Sequence, residues 1–161
     1  MPSPEHFYQR RPKETPTTSP HLQAVITDLA AYYEVDVNQD GARFSFARPE
    51  QDKQWVIANL DGSHIDVARC PVETDDFMVP DIDVVLAIKS NGWQTVKVLH
   101  SDRAWEAYAI AAEAQGQPPG DPQTNFPFAP FAEYVAQLIE AEVRLAQAND
   151  AEAVKALLAL E

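Results

Sequence analysis

Three short stretches carry residue types that chemistry needs. The first is DVNQDG, where Asp36, Asn38 and Asp40 place oxygen-bearing side chains at alternate positions before Gly41. That is the first half of an EF-hand calcium loop, which needs a bidentate acid at its twelfth position and flanking helices. Counted from Asp36, the twelfth residue is Ala47, and Arg43 stands at the usually aliphatic eighth. The spacing therefore predicts a turn, with Gly41 supplying a positive φ, and no metal at Asp36, Asn38 or Asp40. The second stretch is His100-Ser101-Asp102, which has the letters of a catalytic triad. Adjacent residues cannot converge as nucleophile, base and orienter, so Ser101 reads as a helix N-cap. His100 then lies at a strand's carboxyl end beside a helix N-terminus, where an anion could be met. Trp93 and Trp105 flank this strand and open the next helix. They could stack on a nucleotide, although core packing is the ordinary use of such residues. The third is His64, Asp66 and Cys70, with no second cluster to complete a metal's ligand set.

Trp93, His100, Ser101, Asp102 and Trp105 are thus the candidate ligand or partner residues, and no catalytic residue or cofactor is expected. The chain has five glycines and none of the nucleotide-loop or nucleophile-elbow motifs. Its formal net charge is −13 over 161 residues. Duplex-binding domains gain affinity by neutralising phosphates, so direct nucleic-acid binding by the folded part is disfavoured. An acidic surface suits solubility, a basic protein partner, or a surface that mimics DNA. The only cysteine is Cys70, which excludes an intrachain disulfide. No apolar run reaches the ~20 residues of a membrane span, and a cytoplasmic protein is expected.

These residues need elements to hold them. Residues 1–18 are polar and proline-rich and read as a disordered leader. A core domain is expected over 19–116, a proline-rich loop over 117–130 and a helical segment over 131–161. Ser19-Pro20 marks a helix start, followed by Leu22, Val25, Ile26, Leu29 and Tyr33 at helical spacing. Then RFSFAR, QWVIANL and SHIDVARC alternate as three strands, with Asp61-Gly62-Ser63 as the turn between the last two. DIDVVLAIKSNG places Ile82, Val85, Leu86 and Lys89 at helical spacing and is read as a second helix stopped by Gly92. WQTVKVL is a strand with Val96 and Val98 on one face, and DRAWEAYAIAAEAQ is a helix ending at Gly116. The last helix starts near Phe131 and is expected to break at Asn149-Asp150. The class is α+β: a small antiparallel sheet with an added strand, helices packed on one face, and a long C-terminal helix.

The span from about Tyr33 to Gly116 resembles the relaxase-associated domain of large polyvalent proteins (the seventh such type), found in conjugative mobilisation proteins. The segments that carry the likeness are DGARFSF, SHIDVARC, VVLAIKSNGW, QTVKVLHS and DRAWEAYAIAAEAQG. The family pattern has a glycine where His100 stands and a basic pair early in the last helix, where Glu106 and Ala107 follow Trp105. The resemblance implies no catalytic residues. It implies an accessory protein of conjugative DNA transfer, with a relaxase or transfer-complex component as partner. Two other readings remain open: an acidic inhibitor presenting a DNA-like surface to a nuclease, restriction or transfer protein, and a small ligand binder or enzyme using the strand end near His100.

Overall fold

In a computed structural model the described residues are 6–13, 17–47, 53–71 and 80–159, with side chains described up to 143 apart from Pro71. The elements are β1 (Phe7–Arg10), α1 (Pro20–Tyr32), β2 (Arg43–Phe46), β3 (Lys53–Asn59), β4 (His64–Pro71), β5 (Ile82–Lys89), β6 (Gly92–Ser101), α2 (Asp102–Ala114) and α3 (Phe128–Ala159). The class is α+β. The six strands form one sheet in the order β1-β6-β5-β4-β3-β2, and every neighbouring pair is antiparallel. Strands β2 to β6 are a consecutive meander, and the N-terminal strand adds to its far edge.

Two expectations are corrected here. Phe7–Arg10, read as part of a disordered leader, pair with Val98–Ser101 of β6. Their polar composition hides a strand because an edge strand needs only one buried side, and Tyr8 and Arg10 supply it by facing His100 and Val98. The second helix of the sequence reading is strand β5. Ile82, Val84 and Leu86 point to one face, and Asp83, Val85 and Ala87 to the other. Its apolar run satisfies helical and alternating spacing together, a known ambiguity of strands buried on both faces. Two facts decide it: neighbours on both sides complete its backbone hydrogen bonds, and Ser90-Asn91 closes a two-residue hairpin, with Lys89 opposite Gly92. Gly92 has φ +124°, which side-chain-bearing residues avoid.

A bulge opposite Val85–Leu86 shifts the register of β6, pairing Leu86 with Thr95 and Val85 with Lys97. Val96 is the extra residue, so Thr95 and Val98, not Val96 and Val98, share the inner face. That face carries Phe44, Trp55, Ile57, Ile65, Val67, Ile82, Val84, Leu86, Trp93 and Val98, in one core with all three helices. Helix α1 adds Leu22, Ile26, Leu29 and Ala30, and α3 adds Phe131, Ala132, Val135, Ala136 and Ile139. His21 ties these helices together, its two ring nitrogens meeting the carboxylates of Glu133 and Glu140. The opposite sheet face is a second, smaller buried layer that includes Ala68, Cys70, Val85 and Ala87.

α1 begins where Ser19-Pro20 predicts, but Ser19 does not cap it through its side chain. Its hydroxyl pairs with that of Thr95 at 3.1 Å, and its N–H donates to the Trp93 carbonyl at 2.9 Å. α3 starts at Phe128, three residues before its predicted start, because Pro130 fits the first turn, where no N–H is needed. It runs unbroken through Asn149-Asp150. Those residues are weaker helix formers than Ala by less than ~1 kcal/mol each, too little to end a long helix. Among the described residues no helix is long and apolar enough to cross a membrane.

Candidate functional site

The end of β6 was the strongest candidate, and its side chains have structural tasks. His100 faces the inner side and is 2% exposed. Its ring stacks between Tyr8 and Phe126, with centroids at 5.4 Å from each, and Trp105 and Phe131 close the sides at 5.9 and 6.3 Å. Nε2 accepts from Arg10 Nε at 3.2 Å, so Nδ1 carries the proton and donates to the Ser101 carbonyl at 3.1 Å. Burial, with the Arg10 charge beside it, lowers the His100 pKa, and the ring is held neutral.

Ser101 is fully buried and caps α2 as its position predicts, its hydroxyl accepting from the Ala104 N–H at 3.1 Å. Asp102 accepts from the His6 N–H at 3.3 Å and its own N–H donates to the His6 carbonyl, so β1 covers the start of α2. Trp105 packs against Tyr108 and Phe126, at 5.2 and 5.7 Å. The structure brings His100, Ser101, Asp102 and Trp105 together but leaves Trp93 apart. It lies seven residues back along the same strand, roughly 20 Å away at ~3.3 Å per residue. Trp93 is buried and docks α1: its backbone N–H donates to Gln23 Oε1 at 2.9 Å.

Asp36, Asn38 and Asp40 are exposed in the α1–β2 connection. Asp36 accepts from the Asn38 N–H at 3.1 Å, an Asx turn, and Gly41 has φ +81° as the turn reading requires. Buried Asn59 holds this connection by donating to the Val37 carbonyl at 2.8 Å, and accepts from the Gly62 N–H at 2.6 Å in the next turn. Among the described residues no group of three or more His, Cys, Asp or Glu side chains could hold a metal ion.

Three features escaped the sequence reading. Asp81 is buried and accepts from Arg69 through both its oxygens, at 3.0 and 2.7 Å, and from Lys53 at 2.6 Å. Burial opposes its ionisation, but these cations outweigh it and hold the pKa below the usual carboxylate value. On the outer sheet face, Asp66 of β4 and Asp83 of β5 are diagonal neighbours. Each buries an Oδ1 with no hydrogen-bond partner among the described residues. Burial, and then the hydrogen bond and charge of Asp66, push the Asp83 pKa up to about 8, so Asp83 keeps its proton at neutral pH. Beside them the Cys70 thiol is pushed up to about 11, by burial and then by Asp83 and Asp66, and stays protonated and unreactive. The Asp66–Asp83 pairing was hidden because a helical reading of β5 separates these residues.

The third feature is a surface. Tyr32 is 70% exposed and Tyr33 39%, in edge-to-face contact at 5.1 Å where α1 ends. Tyr33 stacks over Phe44 and Phe46 of β2, at 5.4 and 6.5 Å. Glu34, Asp36 and Asp40 are exposed in the connection that follows, and Asp28 lies one turn before Tyr32. Helical spacing placed Tyr33 in line with Leu22, Ile26 and Leu29, but its ring is half-exposed and lies over β2. Compared with protein-family models, curated proteins and solved structures, the chain finds no match.

Proposed function

We propose that the protein is a non-enzymatic, partner-binding accessory protein of conjugative DNA transfer or a related mobile-element process. The observation that carries partner binding is the aromatic surface of Tyr32 and Tyr33 over strand β2, with four carboxylates in the chain around it. Exposed aromatic residues rimmed by charge are typical of protein interfaces, and β2 is the last strand of the sheet. Asn59 pre-orders the acidic connection, which lowers the entropy lost on binding. The partner this chemistry fits is a protein with a basic, apolar face.

The family resemblance supplies the biological setting. Its segment from Gly92 to Gly116 is a strand that runs directly into a tryptophan-bearing helix. The resemblance departs at Val84–Lys89, which is strand here where the family pattern reads helix. The test is binding of the full chain to a purified relaxase and to other transfer-complex proteins. Micromolar or tighter binding, weakened roughly tenfold by Tyr32→Ser and by added salt, is expected. No binding to any of them at micromolar concentration overturns the reading.

The inhibitor reading has one observation in its favour. Asp102, Glu106 and Glu113 fall in a row along α2, next to Ile110, which is 69% exposed. Inhibition of a nuclease that is relieved by neutralising Glu106 and Glu113 supports it over partner binding through β2.

A further inference from the structure

The cations of this acidic chain are not evenly spread. Arg10, Arg11 and Lys13, three of its twelve Lys and Arg residues, line one open cleft of about 510 Å³. The cleft lies between the end of β1 and the loop that leads into α3, at the opposite sheet edge from the Tyr32–Tyr33 surface. Among the described residues, none that lines it is acidic. Asp121 is near enough for the Arg10 charge to help lower its pKa, but its carboxylate is engaged by its own loop, chiefly by the Gln123 N–H at 2.8 Å. Arg11 and Lys13 are exposed and have no ion-pair partner among the described residues. In a chain of net charge −13, three cations gathered in one cleft make a local positive field that favours a negative ligand.

The lining also has an internal order. Arg10 is fixed at its Nε by His100 and lies 4.9 Å over the Tyr8 ring, so its guanidinium is held in place before any ligand arrives. Its terminal N–H groups make no hydrogen bond among the described residues, and guanidinium geometry matches phosphate oxygens. Thr17, Gln123 and Asn125 add neutral donors. One wall is aromatic: Phe126 and Phe128 pack at 4.7 Å, with Phe126 backed by His100. A cleft of this volume has the size of small-molecule sites, which combine an apolar wall with a few placed polar groups.

We propose that this cleft binds a phosphorylated small molecule of nucleotide size. Arg10, Arg11 and Lys13 take the phosphate groups, and the organic part lies against Phe126 and Phe128. The anion expected at His100 and the α2 N-terminus is thereby displaced to the far side of Arg10, because β1 covers the helix start.

The experiment is calorimetric titration of the full chain with pyrophosphate and with ATP as probes. Saturable binding of both, tighter for ATP, is expected. The double variant Arg11→Ala/Lys13→Ala, at exposed positions that leave the fold alone, should weaken it by roughly tenfold or more. Arg103→Ala, an exposed arginine on α2 outside the cleft, should leave it unchanged. No saturable binding of either probe overturns the proposal, as does equal weakening by Arg103→Ala. So does binding of a single-stranded oligonucleotide where pyrophosphate and ATP fail, because the cleft then serves a nucleic-acid strand. None of these outcomes bears on partner binding through Tyr32, which lies at the other edge.

Discussion

Replacing Asp83 with asparagine should stabilise the protein at neutral and alkaline pH and leave it nearly unchanged in mild acid. Asp83 holds a proton up to about pH 8 in the folded chain, against an ordinary value of 3.8. Between these two values the folded state carries one proton more than the unfolded state, so stability falls as pH rises through the window. Below it both states are protonated and the group's full contribution is present. One pKa unit corresponds to ~1.4 kcal/mol, so a shift of about four units sets a ceiling near 5–6 kcal/mol. Asp83 is only partly buried, and Lys97 offsets some of the charge, so about 2–4 kcal/mol is expected. Asparagine keeps the shape and the neutral, hydrogen-bond-donating character of protonated Asp83 at every pH. Urea denaturation of wild type and Asp83→Asn at about pH 4 and about pH 8 measures this directly. The difference between the two proteins should open by ~2–4 kcal/mol across the interval, or ~5–15 °C in Tm. Taking the difference cancels His21, whose pKa is raised by Glu133 first and whose contribution also fades as pH rises. Parallel pH profiles for wild type and variant would refute the raised pKa of Asp83.

Three further variants test the packing. His100→Leu should cost ~2–4 kcal/mol, because it strips Arg10 of its acceptor inside the aromatic cluster; denaturant midpoints measure it. The same variant should remove an acid-side loss of stability: the lowered His100 pKa means its contribution is present above the unfolded value of 6.5 and is lost as pH falls toward the folded one. Gly92→Ala should destabilise by ~1–3 kcal/mol, since φ is +124° and the new Cβ would lie 3.2 Å from Thr18 Cγ2; an unchanged Tm argues against the hairpin geometry. Arg69→Met should cost ~3–5 kcal/mol by leaving buried Asp81 with Lys53 alone, and Asp81→Asn in that background should recover part of it.

Much of the fold was legible in the chain because its signals are local. Ser19-Pro20 and the spacing of Leu22, Ile26 and Leu29 mark α1, and Ser101 marks the start of α2 through a single hydroxyl-to-amide bond. Asp61-Gly62 and Asp40-Gly41 mark turns because only certain residues tolerate positive φ. The alternation in β3 and β4 specifies which side is inner, since a slip of one residue would expose every core side chain.

What the tertiary structure decided is everything that depends on a partner distant in the chain. Whether Ile82–Lys89 is helix or strand is set by β4 and β6 completing its hydrogen bonds, because its apolar run satisfies both periods. Phe7–Arg10 become a strand only because β6 presents a free edge and His100 a ring to stack on. The chemical character of the titrating residues follows from the same contacts. His100, adjacent in sequence to Ser101 and Asp102, is made a neutral core ring by Tyr8, Phe126 and Arg10. Asp83 keeps its proton because strand register buries it diagonally across from Asp66. A side chain's pKa and exposure are properties of its surroundings, and in this protein those surroundings include residues 90 and 112 positions away.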